Sequence, residues 1–214
     1  MPADVLCVWS SWFRARLLSI SAAYDEGRVR VTGRMRFPPP TEVPRDPRRL
    51  RVLVLGEAGD EFAAAVEPFL SALARDPDVE VAVQPHPARA QATRDLASAL
   101  AWCDVALGMR SSALYEALFH RRPVVVACKE RAHPLAGLVA FCPEPEHAAH
   151  ACRQAAADPA TLARARAVVW GDPPDDPVRE VLAAVGIGDG PAPSAGSVPA
   201  PRGSRAATGV TRTR

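Results

Sequence analysis

The chain has 214 residues, a formal net charge of +2 and an apolar fraction of 48%, enough for one good-sized domain with extensions. A charge this close to neutral excludes a protein held to a polyanion by its overall field, and no apolar run approaches the roughly 18–20 residues of a membrane-spanning helix. The five cysteines, Cys7, Cys103, Cys128, Cys142 and Cys152, are odd in number and lack C-x-x-C spacing. Several adjoin apolar runs, as free buried thiols in a reducing compartment do. Met1-Pro-Ala-Asp4 lacks the basic and apolar regions of a signal peptide, so a cytoplasmic location is expected.

Val5-Leu-Cys-Val-Trp9 predicts a short strand, Trp12 to Tyr24 a helix, and the alternating Arg28 to Thr32, closed by Gly33, a second strand. The prolines from Phe37 to Pro47 exclude helix and central strand and predict an extended linker. Leu50–Leu55 then predicts a strand followed by the loop Gly56–Asp60. Glu61–Ala74 has a helical pattern that Pro68 is expected to end or kink.

Val79–Val83 predicts the next strand, broken by Pro85-His-Pro87. Helix over Gln91–Trp102, strand over Asp104–Leu107, helix over Ser112–His120 and strand over Pro123–Ala127 follow, with a short strand at Val139–Phe141. Helical patterns over Glu146–Ala157, Thr161–Val169 and Pro177–Val185 complete the domain. From Gly186 the chain is Gly, Pro, Ala, Ser and Arg, a composition with little to bury that predicts disorder.

Strands alternating with helices predict an α/β fold, a Rossmann-like, doubly wound parallel sheet. Ligands of such sheets bind outside the carboxyl ends of the strands. The loops Gly56–Asp60, Gln84–Pro87 and Gly108–Ser112 all fall there. Ser111-Ser112 opens a helix, where orphan N–H groups and the positive dipole end suit an anion. Serine is also a favoured N-cap that needs no ligand. Glu116 lies one turn further on the same face, either a solvated side chain or an acceptor for a ribose hydroxyl pair.

His86, held between two prolines, is either part of a rigid turn or a group that contacts a phosphate or moves a proton. Gly56, Glu57 and Arg110 complete the substrate-binding candidates. The G-x-G-x-x-G dinucleotide spacing is absent, and Glu57 suits a sugar hydroxyl or an acceptor better than a bare phosphate. Cys142, His147, His150 and Cys152 do not have the spacing of a usual zinc finger, so no metal and no cofactor are expected. The arginines from Arg28 to Arg51 have no interleaved aromatic platform and read as a solvated face, not a nucleic-acid patch.

Gln84-Pro-His-Pro87, Cys103-Asp-Val-Ala-Leu-Gly-Met-Arg-Ser-Ser-Ala-Leu-Tyr-Glu-Ala-Leu118 and Arg122-Pro-Val-Val-Val126 together resemble the C-terminal, donor-binding half of GT-B glycosyltransferases. The resemblance is greatest to enzymes of capsule and surface-polysaccharide synthesis, CDP-glycerol glycerophosphotransferases and the related UDP-N-acetylglucosamine 2-epimerase-like group. It extends over about residues 4–185, since Asp4–Ser10 and Arg28–Phe37 are similar to the family's hinge.

The resemblance implies a CDP-, CMP- or UDP-linked donor, with Ser111 and Ser112 at its phosphates, Glu116 at the ribose and His86 at the phosphate or in catalysis. It implies further that residues 1–37 are a hinge remnant of an N-terminal domain, 38–49 a linker, 50–186 the nucleotide-sugar domain and 187–214 a tail. A separate N-terminal acceptor domain would then complete the cleft, with no nucleic acid and at most peripheral membrane association. The chain departs from the family at Arg121, where a glycine is expected, and begins just before the hinge. A 2-epimerase-like enzyme and a non-catalytic nucleotide-binding or interaction domain are the alternative readings.

Overall fold

The computed structural model describes residues 5–34, 48–89, 95–130, 133–171, 174 and 176–187. A first unit consists of β1 (Leu6–Val8), α1 (Ser11–Ile20) and β2 (Val29–Val31). Its two strands pair in parallel, Leu6 opposite Val29. A second sheet carries β3 (Leu50–Leu55), β4 (Val79–Gln84), β5 (Val105–Gly108), β6 (Val124–Val126) and β7 (Ala140–Phe141). All its pairings are parallel, in the order β4-β3-β5-β6-β7. The fold class is therefore the expected one, an α/β Rossmann-like parallel sheet.

The period-two alternation of β3 explains the layering. Val52 and Val54 point to one face, with Val105, Leu107 and Val125. There they pack on α2 (Asp60–Ala74) through Val66, Phe69 and Leu73, and on α5 (Ala148–Ala156) through Ala148 and Cys152. Leu53 and Leu55 point the other way, with Ala106, Val124 and Val126. They meet α3 (Leu96–Trp102), α4 (Ala113–Phe119) and α6 (Pro159–Trp170). A strand covered on both faces reads as a continuous apolar run, as β5 and β6 do.

The helix boundaries follow their caps. Asp95 accepts from Ser98 N–H at 2.9 Å and starts α3; the predicted start at Gln91 falls outside the described residues. Asp158 and Asp176 cap α6 and α7 (Pro177–Ala184) in the same way, each followed by proline in the first turn. Two expectations are corrected. Pro68, expected to end or kink its helix, does not end it: α2 continues to Ala74, because Pro68 and Ala64, whose carbonyl loses its partner, are both exposed and water can serve the carbonyl. The segment predicted as one helix over Glu146–Ala157 opens with a 3-10 turn, Pro145–His147, before α5.

The predicted linker over Phe37–Pro47 and the tail from residue 188 lie outside the described residues. No helix among the described residues is long and apolar enough to cross a membrane.

The first unit docks on α4 and α6. Trp9 stacks on Trp170 at 5.4 Å, and Phe13 packs edge-on against Trp170 and Tyr115. Trp170 Nε1–H donates to the Tyr115 carbonyl at 3.0 Å, and the buried Ser10 hydroxyl donates to the Val169 carbonyl.

Candidate functional site

The chain reverses direction across the sheet between β3 and β5. From β3 it crosses to β4 on one side, and later it returns to pair β5 on the other. The carboxyl ends of the strands at such a switch point are the usual ligand position of an open α/β sheet. The loops after β3, β4 and β5 are brought together there. Gly56 N–H donates to the Gln84 carbonyl at 2.7 Å. A Cβ on Gly56 would lie 2.8 Å from His86 N and 3.0 Å from Pro85 Cα, so glycine alone allows this approach. Arg89 joins the first two loops again, pairing with Asp60 and donating to the Ala58 carbonyl at 3.3 Å.

The first and third loops are joined by Glu57. Its side chain is buried, with the residue 4% exposed. One oxygen, Oε1, accepts from the N–H groups of Met109 at 2.8 Å, Arg110 at 2.8 Å and Ser111 at 3.1 Å. Three convergent backbone donors on one carboxylate oxygen form charge-assisted bonds, the strong class of hydrogen bond. The donors of the third loop thus hold a carboxylate of the protein itself.

His133, not singled out from the sequence, fixes the same loop from the other side. The ring is buried, its Nδ1 accepts from Leu135 N–H at 3.1 Å, and Nε2 meets the Met109 carbonyl at 3.0 Å. Since Nδ1 accepts, Nε2 carries the proton and donates. Burial pushes the His133 pKa below the usual histidine value; the Met109 carbonyl opposes this and the Arg110 charge adds to it. Burial likewise pushes the neighbouring Cys128 thiol up. A histidine followed by proline carries no local signal of this role. Its two partners are a carbonyl 24 residues away and the N–H of Leu135.

The other candidates fall as follows. Ser112 occupies the N-cap position of α4 but makes no side-chain cap bond, and it is exposed beside the exposed Arg110. Ser111 Oγ accepts from Ala113 N–H at 3.3 Å. His86 is partly buried, and its Nδ1 accepts from Ala88 N–H at 3.2 Å, the bond of a turn.

Glu116 pairs with Arg34, Oε2 to Nη2 at 2.7 Å, with the two side chains 21% and 4% exposed. The Arg34 guanidinium lies 5.4 Å from the Trp9 ring, 5.2 Å from Phe119 and 6.0 Å from Trp170. Cation–π contact of this kind holds a buried cation in place. Arg34 was outside the candidate set because only the fold brings it to a residue 82 positions away.

Cys142 and Cys152 are buried while His147 and His150 are exposed, and burial pushes the Cys152 thiol up to about 12. Among the described residues no group of three or more His, Cys, Asp or Glu side chains is arranged to hold a metal ion. Arg48 and Arg49 line a groove of about 780 Å³ with Arg121, Arg122 and Arg153, beside the amino-terminal ends of β3 and β6, so they do not join the site.

Neither a family model nor a curated protein sequence matches the chain. Solved structures do. The glycosyltransferase of kitacinnamycin is 19% identical with a TM-score of 0.52, over 85% of this chain and 51% of that one. The calicheamicin glycosyltransferase CalG4 is 22% identical with a TM-score of 0.53, over 87% and 55%. SnogD from Streptomyces nogalater, a glycosyltransferase, is 19% identical with a TM-score of 0.50, over 79% and 53%. The chain therefore has the fold of a GT-B glycosyltransferase half, and it spans about half the length of these structures.

Proposed function

We propose that the chain is the donor-binding half of a glycosyltransferase-like enzyme that acts on a nucleotide-activated sugar or polyol phosphate in surface-polysaccharide synthesis. The carrying observation is the convergence of the loops after β3, β4 and β5 at the switch point of the sheet. In this reading residues 50–186 bind the donor, residues 1–37 form the hinge unit, 38–49 link the two, and 187–214 are a tail. A second α/β domain supplies the acceptor side of the cleft, and the enzyme works in the cytoplasm.

The exposed Ser112 and Arg110, with Ser111, face the donor phosphates. Glu116 accepts from the ribose hydroxyls when it turns from Arg34, and His86 stands by the departing phosphate. Gly56 matters because it lets the His86 backbone sit against the end of β3. Catalysis is then positioning together with stabilisation of phosphate charge.

Calorimetric titration with CDP, CMP and UDP tests the proposal. Saturable binding of at least one nucleotide, weakened by Ser112→Ala, is expected; no binding of any of them at millimolar concentration sinks it. The engagement of Glu57 by the loop and of Glu116 by Arg34 favours a second reading, a non-catalytic nucleotide-binding or interaction domain. Absence of transfer after an acceptor domain is supplied, with nucleotide binding retained, would select it.

A further inference from the structure

We infer that Glu57 is a specificity-determining residue that keeps phosphate off the backbone donors of the β5–α4 loop and directs the site toward donors carrying a single phosphate. The inference rests on the donor-binding reading above and sharpens its substrate class. Met109, Arg110 and Ser111 precede α4, and their N–H groups converge within 3.1 Å of one point, the position of Glu57 Oε1. That arrangement is an anion-binding concavity of successive backbone N–H groups. Here the anion is covalently part of the chain.

Two further observations show that the occupancy is built in. Glu57 is 4% exposed, a position that a carboxylate holds only when its charge is met by donors. The loop is also fixed from its other edge, where His133 Nε2–H donates to the Met109 carbonyl at 3.0 Å. A phosphate can take the three N–H groups only by displacing a buried carboxylate or by lying against it as a like charge. Beside the loop, the side chains an incoming phosphate can meet include the hydroxyls of Ser111 and Ser112, of which Ser112 is exposed. These suit one phosphate. The second phosphate of a diphosphate donor adds charge beside Glu57 and gains no backbone donor.

The test compares the wild-type chain with Glu57→Gln, which keeps an acceptor oxygen for the loop and removes the charge. Inorganic pyrophosphate and CMP are titrated into each by calorimetry. Glu57→Gln is expected to bind pyrophosphate at least about tenfold more tightly than the wild type and to gain several-fold less for CMP. Equal or weaker pyrophosphate binding by Glu57→Gln overturns the inference.

A second measurement does not depend on the variant folding. In wild-type NMR spectra at saturating CMP, no through-hydrogen-bond coupling from the phosphorus to the Met109, Arg110 or Ser111 amides is expected, because Glu57 holds those N–H groups. Such a coupling to these amides overturns the inference. The donor-binding reading fails separately: if CMP, CDP and UDP bind neither protein while Glu57→Gln gains pyrophosphate affinity, that reading falls with the single-phosphate preference, and the exclusion of phosphate from the loop amides by Glu57 stands.

Discussion

His133 illustrates how one side chain ties local chemistry to pH. Both of its ring nitrogens are committed to backbone partners, Nδ1 as acceptor and Nε2–H as donor. A second proton on Nδ1 would turn the acceptor into a donor facing Leu135 N–H. Burial therefore holds the His133 pKa below the usual value of 6.5, and the unfolded chain takes up the proton first. The stability contributed by the neutral ring is complete above about 6.5 and is lost as pH falls through the lower folded-state value. His120 shifts in the same direction, through burial and then the charges of Arg34 and Arg122. Urea unfolding is thus expected to give falling stability as pH drops below about 6.5, with a shallower slope in His133→Gln. Equal slopes in the two proteins would refute the assignment. The sequence showed Ser111, Ser112, Glu116, Glu57 and His86 as chemistry-bearing residues, since each sits in a recognisable loop or, for Glu116, in the first turn of the helix that follows one. It hid their partners. Glu57 meets a loop 52 to 54 residues away and Glu116 an arginine 82 residues back, distances over which spacing carries no information.

At the scale of elements, α4 shows why some boundaries are legible and what they cost. Arg122 N–H donates to the Ala117 carbonyl at 2.8 Å and Arg121 N–H to the Leu118 carbonyl at 3.1 Å. This paired closure is the Schellman ending of a helix, which needs a left-handed residue just beyond the cap. Arg121 takes it with φ of 58°, alone among the described non-glycine residues in having a positive φ. The glycine expected here from the family resemblance has a physical reason, because a Cβ makes the left-handed conformation cost about 1–2 kcal/mol. Arg121→Gly is expected to stabilise the chain by about 1 kcal/mol in thermal or urea unfolding; a destabilised variant would show that the Arg121 side chain holds something of greater worth. The strands were legible because both faces of β3 and β5 are covered, leaving uninterrupted apolar runs. The path of α2 through Pro68 was not, since it depends on that turn facing water.

At the scale of the whole molecule, the N-terminal unit and the larger sheet share one aromatic interface, and the ion pair between Arg34 and Glu116 lies within it. Trp9, Phe13, Tyr115 and Trp170 pack across the junction. Arg34 stands among the Trp9, Phe119 and Trp170 rings while holding the carboxylate proposed to receive a ribose. Scaffold and site thus compete for Glu116. Arg34→Met separates the two demands, since methionine keeps apolar packing against the rings and removes the charge. Breaking a buried ion pair costs about 3–5 kcal/mol, and the partial exposure of Glu116, 21%, puts the expected loss below that range, at about 2–3 kcal/mol. If Glu116 serves a ribose, the same substitution frees it, and nucleoside affinity rises as stability falls. Calorimetry with cytidine and uridine, beside urea unfolding, reads both quantities on one protein. Lower stability with unchanged or weaker nucleoside binding would make Glu116 a strut between the two units and remove it from the site.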